Sequence, residues 1–217
     1  VFAVLRNQKM YDINMNEIQL ASLSHKEDYF IKSIDGECAS FVKHVDNFTE
    51  FLRLHDELLK TTDCGTYILQ ERVEQSEEMS KINPNSLNTY RIVTINKDNS
   101  TYLLTGILRV GTQKSGNVDN WAVGGLAIGI KDNGFLKKYG YFKPEHGLKV
   151  DRHPDTGVIF SEFKAPLYQE AIKAALTAHK FYYGIRAIGW DIAISPNGPV
   201  FIEGNDNWEI SLNQACD

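Results

Sequence analysis

The chain has 217 residues, 42% hydrophobic and 24% charged, with 16 glycines and only 6 prolines. That composition fits a packed protein of one large domain or two small ones and excludes disordered and collagen-like chains. A formal net charge of −5 argues against a binder of nucleic acid or of an anionic membrane, since both need a basic surface, and the longest apolar run, residues 121–130, is too short and too rich in glycine to span a bilayer.

In chain order, Val1–Leu5 and Lys9–Ile13 flank Asn7–Gln8 as a hairpin. A short polar helix is expected at Asn16–Ser24, a strand at Tyr29–Ile34 and a turn at Asp35–Gly36. Asp46 or Asn47 can cap a helix that presents Phe48, Phe51, Leu52, His55, Leu58 and Leu59 on one face. Thr66–Val73 is rich in β-formers and predicts another strand, and the charge-rich Glu74–Lys81 reads as a solvated loop. Beyond residue 87 the pattern is one of long hairpins: Leu87–Asn96 with Thr101–Val110, Ala122–Ile130 with Phe135–Phe142, and Ile185–Ile194 with Pro199–Asn205. Each joint carries Asn, Asp or Gly, which tolerate positive φ. Pro166 fits the first turn of a helix running through Ala171, Ala174, Ala175 and Ala178, and Leu212–Asn213–Gln214 starts a further one. Segregated strands and helices joined by hairpins predict an α+β fold, not a doubly wound sheet.

Cys38, Cys64 and Cys216 form neither a disulfide framework nor a zinc pattern, which points to a reducing, cytoplasmic compartment. Val1–Phe2–Ala3 opens no signal peptide, and the chain begins inside an apolar stretch and stops at the start of a helix. It reads as a piece of a longer protein.

The strongest chemical signal is Gly189–Trp190–Asp191–Ile192–Ala193, the turn Ser195–Gly198, then Phe201–Ile202–Glu203–Gly204–Asn205. A hairpin centred on Asn197 puts Asp191 opposite Glu203, with Asn205 on the same face. Trp190, Ile192, Ile194, Val200 and Ile202 then share the apolar face. Two carboxylates and an amide oxygen suit magnesium; a polar outer face of an exposed hairpin is the plainer alternative. Lys32 interrupts the apolar strand Tyr29–Ile34, where an ammonium calls for an anion such as phosphate or for an edge from which to reach water. The strand Tyr67–Val73 turns polar at its end, as at a ligand. Arg91 and Arg109 sit in otherwise apolar strands; a four-residue loop between those strands puts them on opposite faces, a three- or five-residue loop on the same face. His146 and His153 fall in a long loop, either beside a substrate or simply in solvent.

These phrases resemble the ATP-grasp superfamily, and most closely the sugar-transfer-associated family related to α-L-glutamate ligases. The resemblance rests on Asn85–Ser86–Leu87–Asn88–Thr89–Tyr90–Arg91–Ile92–Val93–Thr94, Leu108–Arg109–Val110–Gly111, and Val118–Asp119–Asn120 with Gly124–Gly125. It continues through His153–Pro154–Asp155–Thr156–Gly157 and Gly189–Trp190–Asp191 to Ile202–Glu203–Gly204–Asn205, covering roughly residues 28 to 214.

The resemblance implies two α+β subdomains, 1–75 and 76–217, clasping a nucleotide, with the usual N-terminal subdomain absent from this chain. By it, Lys32 contacts nucleotide phosphates, Gln70, Glu71 and Val73 meet the adenine edge, and Glu74 is a ribose partner. Asp191, Glu203 and Asn205 match magnesium ligands; Arg91, Arg109 and Asn120 line the phosphate and acyl-phosphate region. The implied cofactors are ATP and Mg2+. The implied chemistry is ligation of a small-molecule carboxylate to an amine or other nucleophile through an acyl phosphate, in polysaccharide or cell-surface glycan modification and with partners that include sugar-linked acceptors. A nucleotide-binding module without ligase activity, or kinase-like phosphoryl transfer, are the alternatives. The loop after the lysine strand departs from the family's glycine-rich pattern, since Asp35–Gly36–Glu37–Cys38–Ala39 holds one glycine.

Overall fold

A computed structural model describes residues 1–34, 42–60, 65–98, 100–116 and 118–216. The expected turn at Asp35–Gly36, the loop to Ala39, and Cys38 and Cys64 lie outside the described residues. Backbone contacts divide the chain into two compact units, Val1–Arg72 and Val73–Asp217.

The first unit is an antiparallel sheet of β1 (Ala3–Arg6), β2 (Lys9–Tyr11), β3 (Glu17–Ile18), β4 (Tyr29–Ser33), β5 (Val42–Val45) and β6 (Tyr67–Glu71), in the order β3-β2-β1-β6-β4-β5. The hairpin expected at its start is present, with Asn7 and Gln8 both at positive φ. In place of a helix at 16–24 stand β3 and a 3-10 turn at Leu20–Leu23. Only one of those residues, Leu23, is buried, too little apolar surface to hold an α-helix against the sheet. Helix α1 (Phe48–Lys60) is capped by Asn47, whose Oδ1 accepts from Glu50 N at 3.0 Å, while Glu50 reaches back to Asp46 N at 2.9 Å. Its buried stripe is Phe51, Leu54, His55 and Leu58. Leu54 takes the place expected of Leu52, which is exposed. The stripe packs on Ala3, Leu5, Tyr29, Ile31, Val45 and Leu69.

The second unit is a seven-stranded antiparallel sheet in the order β11-β10-β9-β8-β7-β12-β13. Its strands are β7 (Thr89–Lys97), β8 (Ser100–Val110), β9 (Leu126–Ile130), β10 (Leu136–Tyr141), β11 (Lys149–Val150), β12 (Ala187–Ser195) and β13 (Gly198–Asn205). The segment expected to be a solvated loop contains α2 (Glu77–Ser80), capped by Ser76 and anchored by the buried Met79. Helix α3 (Tyr168–His179) starts after Pro166 rather than at it, because Leu167 takes the left-handed conformation. It covers one face of the sheet, packing Ala171, Ile172 and Ala175 over Tyr90, Ile92, Leu108, Ile128, Trp190 and Ile192. Gly106 admits it: a Cβ there would lie 2.0 Å from the Tyr168 hydroxyl oxygen. Each large side chain buried in this layer contributes about 1.5–3 kcal/mol. Helix α4 (Ile210–Gln214) lies on the other face, where Leu212 and Cys216 meet Ile107, Trp121 and Ala127.

Two ladders change register part-way. At the turn, Lys97 pairs with Ser100, and this frame runs to Thr94–Leu103; the next pair is Val93–Thr105. Leu104 is the extra residue. Likewise Ser195–Gly198 sets a frame that runs to Ile192–Phe201, and the next pair is Asp191–Glu203, leaving Ile202 as the extra residue. The second hairpin is therefore not centred on Asn197 at its turn. Phe201, not Val200, joins the Trp190 face, its ring meeting the indole edge-to-face at 5.3 Å.

Candidate functional site

The bulges decide what converges. Beyond Leu104, Thr89 pairs with Arg109 and Arg91 with Ile107, so both arginines stand on one face of the sheet. The turn frame alone would have put them on opposite faces. Asp191 pairs with Arg91 on one side and Glu203 on the other, and Gly189 with Asn205. Asp191, Glu203, Asn205, Arg91 and Arg109 thus share the face opposite α3.

Their contacts form a buried ionic chain. Arg91 Nε donates to Asp191 Oδ1 at 2.5 Å and its Nη2 to Oδ2 at 3.0 Å; Arg109 Nη2 reaches the same Oδ2 at 3.0 Å. Arg109 also donates to Asp119 Oδ2 at 3.1 Å and, through Nε and Nη2, to Thr89 Oγ1 at 3.2 and 3.0 Å. The Thr89 hydroxyl in turn donates to Asp119. Burial opposes the charge on Asp191, but Arg109 and Arg91 outweigh it and hold the carboxyl below its ordinary value. Burial likewise opposes the charge on Arg109, and Asp119, Asp191 and Glu203 overturn that, raising it. Glu203 behaves oppositely: partial desolvation and the negative charge of Asp191 push its carboxyl up. It lies at the exposed end of the cluster, with Asn205 Nδ2 donating to its Oε1 at 3.1 Å.

Asp119 and Thr89 are members of this chain that the sequence did not single out. The signal that could have found Thr89 is its place two residues before Arg91, hence on the same strand face. Neighbouring Asn120 is placed differently: its Oδ1 caps the 3-10 turn Trp121–Val123, accepting from Ala122 N at 2.9 Å, and its carbonyl accepts from Gly125 N at 3.0 Å.

The segment before β7 and the His153–Gly157 phrase are tied to the end of β8. Asn83 Nδ2 donates to Gly111 O at 2.7 Å, Asn88 Nδ2 to Gln75 Oε1 at 3.0 Å, and Ser86 Oγ to Asn88 Oδ1 at 2.6 Å. His153 is fully buried, its Nε2 donating to Gly111 O at 2.9 Å and its Nδ1 accepting from Thr156 N at 3.2 Å. It is neither in solvent nor turned to a substrate; it fixes the end of β8 next to Arg109. His146 donates to Ala122 O at 2.7 Å.

In the first unit, Lys32 pairs with Ile68 and Val42 and is half-buried on the face shared with Phe30, opposite the α1-covered core. Gln70 stands on that same face, and Glu71 is ion-paired with Lys26 at 3.0 Å. Val73 and Glu74 begin the second unit, Val73 half-buried and Glu74 exposed.

Among the described residues no group of three or more His, Cys, Asp and Glu side chains is arranged to hold a metal ion. What the cluster offers is mixed: Glu203, the Asn205 amide oxygen, and the lone pairs of Asp191 left over from two guanidinium groups. Among the described residues, three carboxylates, Asp119, Asp191 and Glu203, share the cluster with two guanidinium groups, and Glu203 is raised by desolvation first and by the charge of Asp191 next. That donor set fits a hard divalent cation. No described helix is long and apolar enough to cross a membrane, and Cys216 is buried.

The model of sugar-transfer associated ATP-grasp proteins matches residues 2–217. No curated protein matches the chain. Among solved structures it is similar to the biotin carboxylase domain of Hydrogenobacter thermophilus 2-oxoglutarate carboxylase, determined with MgADP, ADP and bicarbonate, at 12% identity and a TM-score of 0.52. The match covers 88% of this chain and 33% of that one, so the chain spans about a third of its relative, and the likeness is one of fold.

Proposed function

The chain belongs to the sugar-transfer associated ATP-grasp family, and on that premise we propose that it binds ATP with magnesium and serves ADP-forming ligation of a carboxylate to an amine or other nucleophile. The observation that carries this reading is the charged chain on the second sheet, which gathers two guanidinium groups and an under-neutralised carboxylate on one face. In the reaction a carboxylate oxygen attacks the γ-phosphorus, the bond to the β,γ-bridging oxygen breaks, ADP leaves, and the nucleophile then displaces phosphate from the acyl phosphate. Such chemistry asks for positioning and charge neutralisation rather than a side-chain nucleophile.

Residue roles follow the same reading. Asp191, Glu203 and Asn205 hold magnesium, which when bound neutralises phosphate charge. Arg109 and Arg91 meet the transferring group, with Asn120 setting the adjoining loop. Lys32 serves the phosphates, Gln70, Glu71 and Val73 the adenine, and Glu74 the ribose. The acceptor is a small, sugar-linked molecule of glycan assembly, handled in the cytoplasm. The likeness in fold to a carboxylase domain determined with MgADP is consistent with these cofactors.

Calorimetric titration of ATP with and without magnesium tests the metal assignment: Asp191→Asn and Glu203→Gln should each lose the magnesium dependence, and unchanged titrations in both would sink it. With hydroxylamine, ATP, magnesium and the acid, the full-length protein should yield hydroxamate and ADP in equal amounts; AMP would rule out attack at the γ-phosphate. One feature favours a second reading, a nucleotide-binding module without turnover: both Asp191 oxygens are already engaged by guanidinium groups. Tight ATP binding with no hydroxamate from a broad acid library would select it.

A further inference from the structure

The chain has three tryptophans, and two are fully accounted for. Trp190 is buried under α3 and donates its indole N–H to Thr94 Oγ1 at 2.8 Å; Trp121 is buried against Ile107 and donates to Tyr141 O at 2.8 Å. Trp208 belongs to neither core cluster, is only half-buried, and its N–H makes no hydrogen bond among the described residues. An indole in that state keeps part of its apolar face and its N–H open to a ligand.

Its position is defined by a missing side chain. A Cβ built on Gly189 would lie 2.7 Å from Trp208 Cβ, 3.1 Å from its Cγ and 3.3 Å from Arg91 Cδ. Gly189 is two residues from Asp191 on the same strand face and pairs with Asn205. Only glycine lets Trp208 settle there, so its root stands beside Arg91 on the charged face. The short α4 that follows brings Asn213, a buried amide with neither its nitrogen nor its oxygen bonded within the described residues. A half-open indole with an unused N–H, rooted beside Arg91 on the charged face, matches what a pyranose requires: an apolar C–H face to stack on, and hydroxyls to take up free donors and acceptors.

We propose that Trp208 is a specificity-determining residue that stacks on the sugar ring of the substrate, holding its reacting group toward the Asp191–Glu203 cluster. This rests on the ligase reading for the identity of the cluster but not for the stacking itself, so the two can fail separately. The test is indole 15N-labelled protein observed by NMR, titrated with methyl glucopyranosides, glucuronic acid and glucosamine, with glycerol as the aliphatic control. Without ligand, the Trp208 N–H should exchange with solvent much faster than those of Trp121 and Trp190. At least one pyranose should shift the Trp208 signal saturably, leaving the other two in place. Trp208→Ala should abolish binding of that sugar and Trp208→Phe retain part of it, while magnesium-dependent ATP affinity changes less than twofold in both. The proposal is overturned if no pyranose moves the Trp208 signal, if glycerol moves it equally, or if Trp208→Ala binds the sugar as the parent does. Loss of ATP binding in the parent protein, with the sugar shift intact, would overturn the ligase reading and leave this one standing.

Discussion

The two faces of the seven-stranded sheet are made of alternate residues of the same strands, yet they are held by different forces. Under α3, Tyr90, Ile92, Leu108, Trp190 and Ile192 exclude water and pack. On the other side, Arg91, Arg109 and Asp191 are buried and charged, with the neutral Thr89 hydroxyl bonded to Arg109, and each charge is tolerable only because its neighbour is there. The apolar face degrades gradually when a side chain is trimmed. The charged face fails abruptly when one partner goes, because the remaining charge stays behind in a buried place.

The sharpest way to break this comparison is Asp191→Ala, which leaves two guanidinium groups facing each other. It should cost about 3–5 kcal/mol in urea unfolding, more than trimming a side chain of similar size on the apolar face. Ile92→Ala supplies that reference, at about 3 kcal/mol, and should leave magnesium-dependent ATP affinity unchanged. If the two costs came out reversed, the charges of the ionic chain would be solvated well enough to do without one another.

Smaller effects sharpen the picture. Thr89→Val keeps the strand but removes the hydroxyl that bonds both Arg109 and Asp119, and should cost about 1–2 kcal/mol. In the full-length protein it should lower kcat more than ATP affinity. Glu203→Gln should have the smallest effect and the opposite sign, raising the unfolding free energy at neutral pH without ligand by less than about 1 kcal/mol, since the group is exposed. The pH dependence follows. Glu203, raised in the folded state, binds its proton more tightly there than in the unfolded chain, so its penalty grows as pH rises through that folded value. Asp191, lowered in the folded state, adds stability above the ordinary carboxylate range that is lost as pH falls through its own lower value. Unfolding of the parent and of Glu203→Gln between pH 3 and pH 8, on the order of the range where carboxylates titrate, should therefore converge at the acid end.

Much of this was legible in the sequence. Positive-φ turn residues located the hairpins, Asn47 capped α1, and alternation placed Trp190 and Asp191 on opposite faces. The α+β class and the family resemblance both stand. What pattern could not supply was register. Alternation gives the faces of one strand, but the pairing of two strands is set by where an extra residue is stored, and Leu103–Leu104 and Phe201–Ile202 are apolar doublets with no distinctive chemistry. The loss of a helix at 16–24 and the exchange of Leu52 for Leu54 have a similar origin: which side of a short amphipathic segment is buried depends on what the sheet presents to it. Asp119 stands in a family phrase yet carries no role there, because a lone acid in a loop looks solvated until an arginine from another strand reaches it.

The stored residues bear on how this sheet can change length. In an even ladder, losing one residue turns every later side chain to the wrong side. Here Leu104 and Ile202 are counted by neither neighbour, so removing either leaves Arg109 still opposite Thr89 and Glu203 still opposite Asp191. Each is a spare in the spelling of its strand, and a one-codon deletion at either position shortens the protein without rewriting its reading.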